Sequence, residues 1–192
     1  MRGWYRRWFK RLFDMAIGMG GLCVFAIPMA WMAYGVYCAL GPPVLFQQTR
    51  IGYRGVRFTV LKFRTMSETG TVTSSFCHWL RSVAMDELPQ LINILKGEMS
   101  FVGPRPLIPE ELEALDRMPC GAGRLSVRPG LAGLAQIYGA KTPALTDRLR
   151  WDLEYVDRCS FLLDLSILFK SLAITLRGAW EKPGPKLSSE EK

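Results

Sequence analysis

The chain has 192 residues, a length that predicts one domain with a real core and argues against two domains. It carries 25 lysine and arginine residues against 17 aspartate and glutamate residues. The net charge of +8 favours nucleic acid, anionic lipid or a phosphorylated substrate as partner. Five cysteines without CxxC spacing and a single histidine, His78, exclude a His-rich zinc site and favour a reduced, intracellular chain.

An apolar segment follows a short N-terminal region of cations and aromatic residues that is typical of an anchor at the lipid headgroups. Residues 15–49 carry no charge, which is more than the roughly 20 residues that a bilayer-spanning helix needs. We set a secretory signal aside because no persuasive small-residue cleavage site follows. Basic residues on both flanks place both ends on the cytoplasmic side by the positive-inside bias.

Pro28 lies near the middle of this segment and predicts a kink or a break, because proline removes a backbone donor and clashes with the preceding turn. A helix that enters the bilayer, bends and returns would fit the two basic flanks. A single span with a kink fits the segment equally well, since membrane helices tolerate proline. The segment alone leaves both alternatives open.

The next residues predict small elements in quick succession. Residues 42–66 alternate β-branched and aromatic residues around "GYRG", which indicates a β-hairpin, and residues 67–75 are small and polar, as in a loop. A short helix is predicted over residues 75–85. The sequence "DELPQLINILKG" then predicts a helix over residues 86–97 with Asp86 as its N-cap and Gly97 as its end. Its apolar face is formed by Leu88, Leu91, Ile92 and Leu95.

The second half of the chain predicts three further helices. The first begins near Pro109, after a rigid turn at residues 100–106, and residues 127–139 are glycine-rich, which indicates a loop with a short strand. Two helices follow, over residues 142–158 and 160–180. The last can lie in the core or in the membrane surface. The tail, residues 181–192, is predicted to be disordered.

An adjacent acidic pair, Asp86 and Glu87, is the strongest candidate for chemistry. A cap position favours the ionised form of Asp86, and the two carboxylates can share one Mg²⁺, which would also hold a diphosphate. Arg105 stands in "GPRP" and Arg128 in "VRPG", and the prolines restrict where both cations point. With Lys62 and Arg64 they describe a phosphate-transfer site with a carboxylate nucleophile. Simple capping by the acidic pair is the alternative.

The chain resembles the bacterial sugar transferases, the monotopic phosphoglycosyl transferases that begin lipid-linked glycan assembly. The resemblance runs from "KRLFD" through "QTRIG", "LKFRTM", "RSVAMDELPQLINILKGEMSFVGPRPL" and "VRPGLAGLAQIYG" to "YVDRCSFLLDLSILFKSL". It implies transfer of a phospho-sugar from a UDP-sugar to undecaprenyl phosphate, with release of UMP, at the cytoplasmic face of the bacterial inner membrane. It also implies a ping-pong mechanism, with Asp86 as the nucleophile and Mg²⁺ held by Asp86 and Glu87.

The resemblance also implies the architecture and the other site residues. We expect a membrane-associated α+β fold, with an anchor and re-entrant helix broken at Pro28 over residues 1–41. A helix-rich cytoplasmic catalytic domain with a short β-hairpin occupies residues 42–180. Membrane lipid is a further expected partner, nucleic acid is not, and a homodimer is allowed for. The expected substrate-binding residues are Lys62, Arg64, Arg81, Arg105, Arg128 and Gln136.

Two features depart from the family pattern. The loop at residues 67–80 is shorter than in many members, and the chain has Ala140 where members commonly carry an arginine that can help to recognise the donor. A non-catalytic, basic membrane-surface scaffold is the competing hypothesis, and a nucleic-acid binder is a third, motivated by the net charge.

Overall fold

The computed structural model describes residues 5–67, 69–72, 74–118, 120–138 and 145–177. Within these ranges the elements form an α+β fold, as predicted. The helices are α1 (Lys10–Leu40), α2 (Ser75–Ser82), α3 (Gln90–Lys96), α4 (Pro109–Asp116), α5 (Leu134–Tyr138), α6 (Leu145–Arg158) and α7 (Phe161–Leu176). The strands are β1 (Leu45–Ile51), β2 (Arg57–Phe63), β3 (Ser100–Val102) and β4 (Gly130–Ala132). The predicted tail at residues 181–192 lies outside the described residues.

Helix α1 is long and apolar enough to cross a membrane. It continues through Pro28 without interruption, so the predicted break at this residue is not observed. A proline removes only its own backbone donor, and the neighbouring turns can retain their hydrogen bonds. Many apolar side chains of the helix are exposed, among them Val24, Ile27 and Trp31.

Both ends of α1 contact the rest of the chain. At the N-terminal end, Asp14 accepts hydrogen bonds from the Ser100 hydroxyl at 3.0 Å and from the Phe101 backbone at 3.1 Å. At the C-terminal end, Met32 and Val36 are buried in a cluster that also contains Phe63 and Leu80. The helix is therefore fixed to the folded chain at two separated places.

The predicted hairpin is confirmed. Strands β1 and β2 pair antiparallel, with Leu45 opposite Phe63 and Ile51 opposite Arg57. The turn at "GYRG" is a 3₁₀ turn over Tyr53–Gly55, in which Arg54 has a φ of 57°. The hairpin packs through Phe58 and Val60 against α3, the helix that follows the acidic pair in the chain.

Strands β3 and β4 form a parallel pair, of which β3 was not predicted from the sequence. Glycines allow this pairing, because a Cβ at Gly130 would lie 2.0 Å from the backbone nitrogen of Gly103. Gly130 donates a backbone hydrogen bond to Pro104, and Gly103 donates one to Ala132, both at 2.8 Å. The pairing therefore joins "GPRP" to "RPGLAG" and fixes the direction in which the chain carries Arg105.

The predicted helices over residues 142–158 and 160–180 correspond to α6 and α7. Helix α7 buries one side, including Asp164 and Ile167, whereas Leu162, Phe169 and Leu176 are exposed. Tyr155 of α6 donates a hydrogen bond to Asp164 at 2.7 Å, which ties the two helices together. Helix α7 thus contributes both to the core and to an exposed apolar surface.

Candidate active site

Asp86 and Glu87 lie in a 3₁₀ turn, Met85–Glu87, between α2 and α3. The predicted N-cap role of Asp86 is wrong, because α3 begins at Gln90 and is preceded by Pro89 without a side-chain cap. The turn starts after Ala84, which has a left-handed φ of 53°. The predicted C-terminal stop is confirmed, since Gly97 ends α3 with a φ of 85°.

Asp86 is buried, with 9% of its surface exposed. The pKa of Asp86 is raised to about 6: burial is the largest cause, repulsion by Glu87 adds to it, and Lys62 and Arg81 partly oppose the rise. The local backbone favours the ionised form, as expected, but the predicted net effect on the pKa of Asp86 is wrong. Desolvation outweighs the backbone, because the carboxylate sits inside the protein and not at an exposed helix end. A pKa near neutrality is common for groups that take part in catalysis.

Glu87 differs from its neighbour because it has a close cation. Lys62 Nζ from β2 lies 2.5 Å from Glu87 Oε1, and Arg105 Nη2 lies 3.6 Å from the same oxygen. Burial raises the pKa of Glu87, but attraction to Lys62 and Arg105 outweighs this effect, so its pKa lies below its usual value. Glu87 is thus a stably ionised carboxylate that orients two cations beside Asp86.

The acidic pair lines a cavity of about 780 Å³. One wall is apolar and comes from α1 and α7, through Phe25, Leu168 and Leu172. The remaining walls carry charged and polar side chains on the hairpin, the turns and α6. Such a cavity can accept a polar, charged ligand beside an apolar one.

The structure brings most of the predicted site residues together. Six of them line this cavity: Lys62, Arg81, Asp86, Glu87, Arg105 and Gln136. Two others are not among its lining residues. Arg64 donates to the backbone oxygens of Leu40 and Gly41, and Arg128 donates to the Gly97 oxygen at 2.9 Å. These contacts fix the ends of α1 and α3.

Sequence reasoning missed three charged residues that line the same cavity: Arg124, Arg148 and Asp152. Arg124 Nη2 and Asp152 Oδ2 are 2.9 Å apart, and both side chains are almost fully buried. A signal for Asp152 was present in the sequence. It shares one helical face with the buried Leu149 and Tyr155, where a charge is unusual. We call Arg124, Gln136, Arg148 and Asp152 the polar recess.

The acidic pair offers some, but not all, of the ligands that a metal ion needs. Among the described residues, no group of three or more His, Cys, Asp and Glu side chains is placed to hold an ion. Mg²⁺, however, typically takes one or two carboxylates and completes its shell with water and substrate phosphates. Asp86 and Glu87 offer two neighbouring carboxylates whose repulsion a cation would relieve. The donor set therefore suits a Mg²⁺ that arrives with a phosphorylated substrate.

Ala140, where the sequence departs from the family pattern, lies outside the described residues. The described part of the loop at residues 67–74 contains no helix or strand, as predicted. Ser74 caps α2, since its hydroxyl accepts from the Phe76 backbone at 3.2 Å.

Comparison with known proteins places this cavity in a family context. The family model described as bacterial sugar transferase matches residues 5–178. The chain is 37% identical to an uncharacterized sugar transferase, EpsL, of Bacillus subtilis, over 83% of each chain. It is 36% identical to the exopolysaccharide production protein ExoY of Sinorhizobium fredii, over 85% of this chain and 83% of that one.

A third relative carries a more specific name. The chain is 33% identical to the UDP-glucose:undecaprenyl-phosphate glucose-1-phosphate transferase of Caulobacter vibrioides, over 85% of this chain and 68% of the relative. The family model covers the acidic pair, the hairpin and α6 together.

Proposed function

The chain belongs to the bacterial sugar transferase family and is an enzyme of the phosphoglycosyl transferase type, and on this basis we propose its reaction. It transfers a sugar phosphate from a UDP-sugar to undecaprenyl phosphate and releases UMP. The product is an undecaprenyl-diphosphate-linked sugar. The observation that carries the proposal is a buried acidic pair placed between cationic side chains and an apolar wall in one cavity.

In the first step, a carboxylate oxygen of Asp86 attacks the sugar-bearing β-phosphorus of the donor. The bond between this phosphorus and the oxygen that bridges the two phosphates breaks, and UMP leaves with that oxygen. A sugar phosphate remains on Asp86 as an acyl phosphate. In the second step, a phosphate oxygen of the lipid attacks the same phosphorus, and the Asp86 carboxylate leaves.

The neighbouring side chains suit this chemistry. A low-dielectric cavity strengthens the attraction between cations and the charge that develops on phosphorus. Arg105, whose side chain is 42% exposed, presents a planar fork of donors to phosphate oxygens. Glu87 orients Lys62 and Arg105 through the contacts described above. Arg81 contributes positive charge next to Asp86.

Mg²⁺ is the cofactor that we propose for this site. When bound, it neutralises charge on the diphosphate of the donor, and Asp86 and Glu87 are the residues that would hold it. Their opposed pKa shifts support separate roles. The lowered pKa of Glu87 keeps this carboxylate ionised, whereas a nearby cation would lower the raised pKa of Asp86 and favour its ionised form.

The proposed location is the cytoplasmic face of the bacterial inner membrane. The exposed apolar residues of α1 and α7 provide a surface for lipid, and the basic flanks of α1 favour the cytoplasmic side. A re-entrant or monotopic arrangement of α1 is supported by the contacts that both of its ends make with the catalytic part. In this proposal the two ends of α1, which both contact the catalytic part, lie on the same side of the membrane.

Replacing Asp86 tests the proposed nucleophile. We expect Asp86→Asn to lower the release of UMP, measured with UDP-sugar, undecaprenyl phosphate and Mg²⁺, by about 10⁴-fold or more. Asp147→Asn is the matched control, because Asp147 is exposed in the first turn of α6. Turnover by Asp86→Asn at the rate of this control would rule out Asp86 as the nucleophile.

A further inference from the structure

The polar recess lies in the same cavity as the acidic pair but takes no part in the two chemical steps. Its centre is the Arg124–Asp152 ion pair, with side chains 4% and 2% exposed. Removing two charges from water is costly, so a buried pair is weak support for stability. Ligand binding explains such a buried pair better than stability does.

The recess adjoins the phosphate-binding part of the cavity. Arg124 Nη2 donates a hydrogen bond to the backbone oxygen of Arg105 at 2.8 Å. Arg148 stands one helical turn before Asp152 on α6, and Gln136 comes from α5. A group bound in the recess would therefore lie beside Arg105, the residue that we propose binds phosphate.

Several buried polar atoms of the recess lack partners. Within the described part of the chain, six buried side-chain nitrogen or oxygen atoms have no hydrogen-bond partner. Four of them belong to residues that line this cavity: Arg124 Nη1, Gln136 Oε1, Arg148 Nε and Ser171 Oγ. Leaving a buried polar atom without a hydrogen-bond partner is costly. Their concentration in one cavity indicates a polar ligand that supplies the missing partners.

The unpaired atoms include both donors and acceptors, which limits the ligand. Among the unpaired atoms, Arg124 Nη1 and Arg148 Nε donate, whereas Gln136 Oε1 accepts. The Asp152 carboxylate, which already pairs with Arg124, is a further acceptor. An ionised phosphate only accepts hydrogen bonds, and Asp152 would repel it. A lipid tail offers no partners at all. A uracil ring has a single N–H donor, whereas every sugar hydroxyl both donates and accepts.

We propose that the polar recess binds the hydroxyl groups of the donor's sugar and thereby selects which UDP-sugar is used. This inference rests on the proposed function. The sugar is attached to the phosphate that Asp86 attacks, so a recess beside Arg105 lies where the sugar would follow. Asp152 and Gln136 accept from hydroxyl groups, and Arg124 and Arg148 donate to them. These residues bind the substrate and do not enter the chemistry.

Monodeoxy donors test the proposal directly. With the full-length protein, the best-used UDP-hexose is first chosen from a panel, and kcat/KM is then measured for its analogues that lack one hydroxyl. In the unchanged protein, we expect kcat/KM for at least one analogue to be lower than kcat/KM for the parent donor by a ratio of about 100-fold or more, because the polar groups of the recess lose a partner. In Asp152→Asn, the same ratio should shrink to about 10-fold or less.

Glu154→Gln is the matched control, since it removes a carboxylate from an exposed ion pair on the same helix. It should keep the ratio of the unchanged protein. If Asp152→Asn does not fold, Gln136→Leu provides the second variant, because it removes an unpaired acceptor from a half-buried side chain. It too should reduce the ratio.

Three results would overturn the proposal. An unchanged ratio in the folded variant would show that the recess does not contact the sugar. Weaker inhibition by UMP in Asp152→Asn, with an unchanged ratio, would assign the recess to the nucleotide. Both results leave the proposed function intact, because the unchanged protein still turns over. Absence of turnover with every UDP-sugar would reject the proposed function, and this inference with it.

Discussion

At the scale of single residues, the proposed nucleophile Asp86 lies in an environment that is unfavourable for its charge. Burial and the charge of Glu87 raise its pKa from 3.8 to about 6, so the folded protein binds this proton more tightly than the unfolded chain does. The ionised carboxylate that can attack phosphorus therefore weakens the fold above that pH. A group held at such a cost is expected where function requires it.

This cost predicts that Asp86→Asn stabilises the protein. A shift of this size corresponds to about 3 kcal/mol at pH 7, because the unfolded chain releases the proton near pH 4 and the folded protein near pH 6. The gain in unfolding free energy should be present above pH 6 and should disappear as the pH falls below about 4.

Denaturant unfolding in detergent, with a chelator present, measures this gain. Asp147→Asn is again the control, since the side chain of Asp147 is exposed. An Asp86→Asn protein that is less stable than the unchanged protein at pH 7 would contradict burial as the main cause of the raised pKa.

The sequence was sufficient to identify the acidic pair and its nearest cations, because "LKFRTM", "DELPQ" and "GPRP" are short segments with specific residue types. It was not sufficient for Arg124 and Asp152, which are separated in the chain and form a pair only in the fold. The pKa of Asp86 was predicted in the wrong direction, because burial depends on elements that pack from elsewhere in the chain.

At the scale of elements, the parallel β3–β4 pair positions Arg105. The two backbones approach closely through Gly103 and Gly130, where any side chain would collide with the opposite backbone. The hairpin and the long helices were predicted because their patterns extend over many residues. Strand β3 has only three residues, which is too short for a recognisable alternation.

Gly130→Ala tests the role of this pairing. Because the new Cβ would lie 2.0 Å from a backbone nitrogen, β3 and β4 must separate, and we expect a loss of about 1–3 kcal/mol in unfolding free energy. Displacement of Arg105 should also lower kcat/KM.

Gly20→Ala is the matched control for this variant, since a Cβ at Gly20 on α1 would meet nothing within 4 Å. It should keep both stability and activity near those of the unchanged protein. Equal effects of the two substitutions would show that the close approach of β3 and β4 has no particular role.

At the scale of the whole molecule, the cavity lies between two chemically different surfaces. Phe25 of α1 and Leu172 of α7 form part of its apolar wall, and both helices have exposed apolar residues outside it. In the proposed reaction, the lipid acceptor approaches from this side and the nucleotide sugar from the charged side. Asp86 lines the same cavity as both walls, as the proposed covalent intermediate requires.

The first residues of α1 join this helix to the elements that surround the cavity. Lys10 pairs with Asp164 of α7 at 2.5 Å, and Arg11 donates to the last carbonyls of α3 at 2.5 and 2.7 Å. The motif "KRLFD" thus joins the apolar helix to elements that surround the cavity. This role could not be read from the sequence, where these charges were interpreted only as part of a basic flank.

The most direct test of Asp86 as the nucleophile is the mass of its peptide after incubation with donor alone. The purified protein is incubated with UDP-sugar and Mg²⁺, without lipid acceptor, and its peptides are weighed by mass spectrometry. We expect that the peptide containing Asp86 gains one sugar phosphate, that UMP is released without acceptor, and that undecaprenyl phosphate removes the added mass. An unmodified Asp86 peptide, with UMP release only when both substrates are present, would contradict a covalent intermediate on Asp86.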